Sequence, residues 1–521
     1  MKILNDKILL VRTKRPHLIT ESIKKSKVVN KEEDGVCEVA IHWGLSEVQA
    51  LTKLGVKDVP STIKRDYKWT GKLTPFAHQK ETSAFLTMHQ KAFCFNEQGT
   101  GKTASVIWAA DYLLSIGAIR RVLILCPLSI MKSAWQVDMI KFAMHRSFSI
   151  AYGEAKTRAK IIDAGAEFVV INFDGLAVVK EEVIADGRFD LIVADEANAY
   201  KNVKTNRWKV LRDVCANAKW LWMLTGTPAA QSPLDAYGIA KLISPECPTY
   251  YGHFRDQVMY KASQFRWVPK PQAQDIVHKV LQPAIRFERD QCLDLPDVTF
   301  VEREAPLTTQ QKKYYNMLKK QMSITAGGES VTAINAAVHI NKLLQLSGGS
   351  VYTDTKEVIE FDVSNRLNVV LEVIEESSHK VLVFVPFTHT ITLLKEFLDK
   401  NNVTSEVING QVSVNKRSEI IKQFQEDTAP HVLIIQPQAA SHGLTLTAAN
   451  TIIWYAPVTS VETYLQANAR INRPGQKNSM SIVHIVGSEV ERRLYKMLQS
   501  NITNHIKIID LYRQEILKES I

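Results

Sequence analysis

Two stretches of this chain share one rhythm, in which short apolar runs are separated by longer amphipathic segments. From about residue 90 the runs are 92–95, 122–126, 168–171, 191–194 and 221–224. After residue 365 the rhythm restarts with 381–385, 432–435, 451–455 and 481–486. Runs this short and without polar alternation read as strands buried on both faces, and helices on both faces mean a parallel sheet. The chain is therefore expected to be α/β, with two doubly wound parallel-sheet lobes in tandem. At 521 residues it is too long for a single core. Between the lobes strands become rare, 310–322 and 333–346 read as helices, and 326–328 and 347–350 read as turns. The expected division is 1–70 as an N-terminal basic arm with a small accessory region and 71–245 as lobe one. It continues with 246–350 as linker and helical insertions, and 351–521 as lobe two with C-terminal helices.

Bulk properties narrow the partner class. The 65 basic and 54 acidic residues give a net charge of +11, which suits a polyanion as well as it suits solubility. Residues 1–27 hold six Lys and two Arg against Asp6 and Glu21, a local +6 that reads as a phosphate-touching arm or a solvated end. The six cysteines are scattered, with no C-x-x-C pair and no histidine at zinc spacing, so a reducing compartment and no structural metal are expected. Lys2, Asp6 and Lys7 break the apolar start, which makes a poor signal peptide. No uncharged apolar stretch approaches the roughly 20 residues needed to span a bilayer. The expectation is a soluble intracellular protein, cytoplasmic if bacterial or phage in origin, with no membrane partner.

Two motifs carry chemistry when they are taken together. In Gly99-Thr100-Gly101-Lys102-Thr103 an apolar strand runs into a glycine turn and a helix opens at Lys102. Such a turn aims backbone N–H groups at a phosphate on the positive end of a helix. Lys102 would reach the β- and γ-phosphates and Thr103 would bind Mg2+, although Asn96 stands where the full phosphate-loop pattern begins with glycine. The run 189–194 ends in Asp195-Glu196, at the strand edge where open α/β sheets bind ligands. Asp195 suits magnesium, and Glu196 suits polarising the water that attacks the γ-phosphate. Together the two motifs make a nucleotide-hydrolysis site.

The order of further motifs resembles helicase superfamily 2, and within it the Swi/Snf-type double-stranded DNA translocases, over roughly 73–490. Pro75-Phe76-Ala77-His78-Gln79 is similar to the family's adenine-reading segment, with Gln79 as the contact. The 122–129 run, followed by Trp135, resembles its first DNA-backbone motif, and Asn172 with Phe173 sits where a second belongs. Thr225-Gly226-Thr227-Pro228 is similar to the segment that couples ATP state to DNA grip. Arg286-Phe287-Glu288-Arg289 resembles the entry into lobe two, and the 380–387 run its first strand motif. Gly443 lies in a stretch resembling motif V, although Ala440 and Ser441 replace glycines and His442 is unusual there. Gln466-Ala467-Asn468-Ala469-Arg470-Ile471-Asn472-Arg473-Pro474-Gly475-Gln476 closely follows the Swi/Snf version of motif VI. Asn198 replaces the usual histidine after Asp-Glu-Ala, which puts that residue's coupling role in doubt.

The resemblance implies two RecA-like lobes and an ATP hydrolase that moves on DNA, with ATP and Mg2+ as cofactors. ATP would be held by Gln79, Gly99, Thr100, Gly101, Lys102, Thr103, Gly443, Arg470 and Arg473. Lys102, Asp195, Glu196, Arg470 and Arg473 would be catalytic, with the two arginines reaching the γ-phosphate from lobe two. Thr103 and Asp195 would bind the metal, and Thr225, Gly226, Thr227 and Gln466 would couple the lobes. Pro127, Leu128, Asn172, Phe173, Phe387 and Gln438 are the DNA-contact candidates. The expected partner is duplex or branched DNA met by a monomer, in replication, recombination or repair. A strand-separating or branch-migrating helicase, an RNA motor and a catalytically silent DNA clamp are the competing readings.

Overall fold

A computed structural model describes residues 1–71, 73–229, 232–263, 266–292, 295–326, 333–352, 358–440, 445–473 and 475–500. The apolar runs become two wholly parallel sheets, one in each of two compact units. The first unit comprises Met1–Ala229 and Pro233–Cys292, and the second takes the described residues from 295 onward.

In the first unit seven strands lie in the order Ala284–Ile285, Lys91–Cys94, Trp220–Leu224, Phe189–Asp195, Arg121–Cys126, Phe168–Asn172 and Phe148–Ala151. The Arg121–Cys126 and Phe189–Asp195 strands are buried along their whole length. Their side chains still alternate between faces. Leu123, Leu125 and Ile192 enter one core with Phe93 and Met223, while Val122, Ile124 and Val193 enter the other with Cys94 and Trp222. Two covered faces explain why the sequence shows unbroken apolar runs there. The unit runs on to Cys292, beyond residue 245, because Ala284–Ile285 joins the sheet edge beside Lys91–Cys94.

Residues 1–27, expected as an arm, fold instead. Strands Lys2–Leu4, Ile8–Thr13, Cys37–His42 and Ser26–Lys31 form an antiparallel sheet in that order. Leu9, Val11, Val39 and Ile41 turn inward onto Ile19, Ile23, Val48 and Leu51, a small core that holds the basic segment in place. The sheet is tied to the rest of its unit by the Gln49 amide, which donates to the Thr87 carbonyl at 2.9 Å.

The second unit has six parallel strands in the order Val298–Glu304, Met480–Val486, Ala449–Trp454, Lys380–Phe384, Val432–Ile435 and Ser405–Ile408. The expected helices at 310–322 and 333–346 are Thr309–Ala326 and Ala333–Gly348. Gly349, with φ of +112°, ends the second and turns the chain into the Ser350–Tyr352 strand. The turn expected at 326–328 lies largely outside the described residues. Among the described residues no helix is long and apolar enough to cross a membrane.

One ion pair is sealed inside this unit. Arg366 Nη2 donates to both Glu491 carboxylate oxygens at 2.8 Å, and Nη1 donates to the Tyr455 carbonyl. Glu491 also accepts from the Gly487 amide at 2.8 Å and the Ser488 hydroxyl at 3.2 Å. Burial by itself would lower the Arg366 pKa, but the facing Glu491 charge reverses this and leaves it raised. Removing one member of a buried pair strands the other charge, at a cost of about 3–5 kcal/mol. Arg366→Ala is therefore expected to lower the unfolding free energy of this unit by that amount in urea titrations. A loss under about 1 kcal/mol would show that water reaches Glu491.

Candidate functional site

The Lys91–Cys94 strand leads through residues 95–98 into the turn at Gly99 and Gly101, and helix Lys102–Ser115 follows. Gly101 has φ of +78°, in the left-handed region, and a Cβ there would collide with Gln79 Nε2. Both requirements select glycine. The Thr100 carbonyl accepts from His78 Nε2 at 2.8 Å and from Gln79 Nε2 at 3.3 Å. Gln79 Oε1 in turn accepts the Phe76 amide at 3.0 Å, so the side chain expected at adenine also braces the loop. Lys102 Nζ donates to the carbonyls of Asn96 at 2.8 Å and Glu97 at 3.2 Å.

Asn96 does not need glycine's freedom, because its φ is not positive. Its amide is buried and used at both ends. Nδ2 donates to Thr82 Oγ1 at 2.8 Å, and Oδ1 accepts the Phe287 amide at 3.0 Å. The departure from the glycine pattern is thus a brace of the loop.

The paired carboxylates lie at the same edge. Leu224 is in register with both Cys94 and Asp195, so the three strands end level and release their loops side by side. Asp195 is buried. Its Oδ2 accepts Trp135 Nε1 at 3.0 Å and its Oδ1 accepts the Glu196 amide at 3.0 Å. Burial raises its pKa, while the Lys102 charge and these two donors pull it back. Glu196 has φ of +53° and ψ of +56°, a left-handed backbone that costs a non-glycine residue energy and clusters at functional sites.

Thr225 continues the arrangement, its amide donating to the Cys94 carbonyl at 3.1 Å. Asn198 Nδ2 donates to the Thr227 carbonyl at 3.1 Å, so the residue replacing histidine links the carboxylate loop to the 225–228 segment. Sequence reasoning gave Trp135 no role of its own. It lies on a π-helical turn, Met131–Gln136, a rare geometry that often marks functional positions.

The DNA-contact candidates of this unit divide by burial. Leu128 is exposed and Pro127 is buried. Asn172 Oδ1 accepts from Arg158 Nη1 at 3.0 Å. The Phe173 ring is buried, edge-on to Tyr200, with the Arg207 guanidinium 5.1 Å from its centroid, so its side chain serves the core.

In the second unit Phe387 precedes helix Thr388–Lys400 and packs partly buried against both cores, while Gln438 is exposed. Gln466 is buried on helix Val461–Asn468, donating to Glu462 at 3.3 Å. That helix ends before Arg470 and Arg473, so these lie on a loop and not on a solvated helix face. Arg470 is buried, and its carbonyl accepts the Leu446 amide at 3.0 Å. Arg473 donates to the Ala469 carbonyl and to Thr445 Oγ1, both at 3.0 Å. Gln476, also without a role from sequence, is buried. Its Nε2 donates to the Ala449 carbonyl at 2.8 Å and its Oε1 accepts the amides of Lys477 and Asn478. Gly443, together with Ser441, His442 and Leu444, lies outside the described residues.

Comparison with known proteins agrees in both units. The SNF2-related domain profile matches residues 78–348, and the helicase conserved C-terminal domain profile matches 365–475. The mouse chromodomain-helicase-DNA-binding protein 1-like is 24% identical over 78% of this chain and 46% of its own length. An uncharacterised ATP-dependent helicase of Mycoplasma genitalium is 24% identical over 81% of this chain and 41% of its own. The yeast transcription regulatory protein SNF2 is 23% identical over 79% and 26%. The chain thus spans less than half the length of these relatives. Among solved structures, the Sulfolobus solfataricus SWI2/SNF2 ATPase core in complex with dsDNA covers 83% of this chain and 92% of its own at 20% identity. Its TM-score is 0.40.

The double demand at Gly101 is testable. Gly101→Ala should destabilise the first unit through both a left-handed alanine, about 1–2 kcal/mol, and the collision with Gln79. Adding Gln79→Ala should recover the collision part only, so the double variant should be more stable than the two single losses sum to. Strict additivity in denaturant unfolding would refute the close approach.

Proposed function

This chain belongs to the SNF2-related family, and on that premise we propose that it is an ATP-hydrolysing motor that moves along DNA. The observation that carries the proposal is the meeting, at one sheet edge, of the phosphate-loop lysine and a buried aspartate that feels its charge.

In this proposal Lys102 neutralises the β- and γ-phosphates while the turn amides at the start of helix Lys102–Ser115 hold their oxygens. The Thr103 hydroxyl and the Asp195 carboxylate hold Mg2+, which supplies charge neutralisation when bound. The donor set fits that ion. Mg2+ is bound through one or two protein oxygens and keeps waters and phosphates for the rest, and it would hold the buried Asp195 ionised against the upward pull of burial. Trp135 and the Glu196 amide fix the Asp195 oxygens. Glu196 orients and polarises the attacking water, Gln79 reads adenine, and Arg470 and Arg473 act as arginine fingers toward the γ-phosphate. Gly443 completes the nucleotide set. Asn198 carries changes at the carboxylate loop to Thr225, Gly226 and Thr227, and Gln466 has the corresponding coupling role in the second unit.

DNA is proposed as the track from family membership and from the +11 net charge. Leu128 and Gln438 are the exposed side chains among the contact candidates. Pro127, Asn172 and Phe173 are left to act mainly through their backbone, and Phe387 through its exposed part. We place the protein on duplex or branched DNA, as a monomer, in replication, recombination or repair.

Lys102→Ala and Glu196→Gln should each lower DNA-stimulated ATP hydrolysis by about 100-fold or more while circular dichroism stays unchanged. Turnover near wild type in either variant would remove the site assignment. DNA affinity should fall log-linearly with salt, and displacement of a triplex strand without unwinding of a plain fork would mark a duplex translocase.

A further inference from the structure

We infer that Asn96 and Glu97 form a clasp that transmits the state of the phosphate loop to residues 284–289, the segment through which the chain leaves the first unit. This rests on the ATP-site reading above and adds a route out of that site.

The clasp has two layers. Main-chain pairing runs past the end of the Lys91–Cys94 strand into the loop itself. The amides of Phe93, Phe95 and Glu97 donate in turn to the carbonyls of Pro283, Ile285 and Phe287, at 2.8–2.9 Å. Side chains return the bonds. The Phe287 amide donates to Asn96 Oδ1 at 3.0 Å, the Arg289 amide to Glu97 Oε2 at 3.2 Å, and Arg286 Nη2 to Glu97 Oε1 at 3.4 Å. Six bonds therefore join two loop residues and their strand to one short segment. The compact unit ends a few residues later, at Cys292. On the opposite side Asn96 is anchored to Thr82, in the helix that also carries Gln79.

The trigger is Lys102. Its ammonium has three donors, and two of them hold the carbonyls of Asn96 and Glu97, the same two residues that carry the clasp. A phosphate on the loop competes for that ammonium. The Glu97 carbonyl keeps the Thr100 hydroxyl at 2.7 Å, so it is the Asn96 carbonyl, held by Lys102 at 2.8 Å, that turns toward another donor when the ammonium leaves. Rotating the peptide between Asn96 and Glu97 displaces the Glu97 amide that pairs with the Phe287 carbonyl, and with it the side chains that hold the amides of Phe287 and Arg289. Asn96 and Glu97 are thus positioning residues: they touch no reacting atom, and they make the exit segment follow the loop.

Amide hydrogen exchange on the full chain, with and without Mg2+ and a non-hydrolysable ATP analogue, tests this. In wild type the analogue should slow exchange across 99–103 and change it across 284–289 by the worth of one hydrogen bond, about three- to ten-fold. In Glu97→Ala, a partly exposed position, the 99–103 response should persist and the 284–289 response should shrink, chiefly at 286–289 where the two side-chain bonds of Glu97 are lost. Glu97→Gln keeps the acceptor and should restore it. A wild-type response at 99–103 without one at 284–289, or an unchanged 284–289 response in Glu97→Ala, would leave only a static brace and overturn the clasp. No response at either segment would overturn the ATP-site reading, and the clasp with it.

Discussion

A parallel sheet covered on both faces can offer chemistry only at its strand ends. Every main-chain polar group inside it is used in the ladder, and every side chain on its two faces is used in a core. In the first unit that leaves the edge where Cys94, Asp195 and Leu224 end level. The phosphate-loop residues, the carboxylate pair and the 225–228 segment meet there because their strands are neighbours, although about 125 residues of chain separate the first from the last. The depth of burial also sets the electrostatics. Asp195 sits at the end of a strand buried throughout, so its carboxylate is costly to ionise unless a cation faces it.

Crowding at this edge decides which residue types are tolerated. Gly101 is there because Gln79 occupies the space a side chain would take. Asn96 is there because its amide holds two groups that a glycine could not reach, the Thr82 hydroxyl oxygen and the Phe287 amide. From sequence the first looked like a motif match and the second like a motif failure. Both follow from one close-packed loop whose carbonyls and neighbouring side chains brace one another.

Legibility followed burial. Central strands such as Arg121–Cys126 and Val432–Ile435 are buried on both faces and were plain as apolar runs. Edge strands such as Phe148–Ala151 and Val298–Glu304 are half-exposed, and their mixed residues give no such signal. The N-terminal sheet was hidden for another reason. Charge dominated the 1–27 window although it held Leu9 and Val11, and their core partners Val39 and Ile41 lie outside that window. In the site, Lys102, Asp195 and Glu196 were legible because their spacing to the strands is local. Trp135 and Gln476 were not, since what they do depends on partners 60 and 27 residues away.

The arginine loop of the second unit shows why such distant partners matter. Arg470 and Arg473 follow the last turn of a helix, where a free loop would let long side chains wander at an entropic cost on every use. Here the Arg470 carbonyl holds Leu446, Arg473 spans back to Ala469 and across to Thr445, and the Gln476 amide pins the far end to Ala449. The loop is therefore referenced both to the start of the Ala449–Trp454 strand, inside the sheet, and to the end of the helix before it. The main chain at Arg470 and the side chain of Arg473 are thereby tied to the residues that lead into that strand. The main chain that carries both arginines is thus positioned by this unit's sheet as well as by the helix that precedes it.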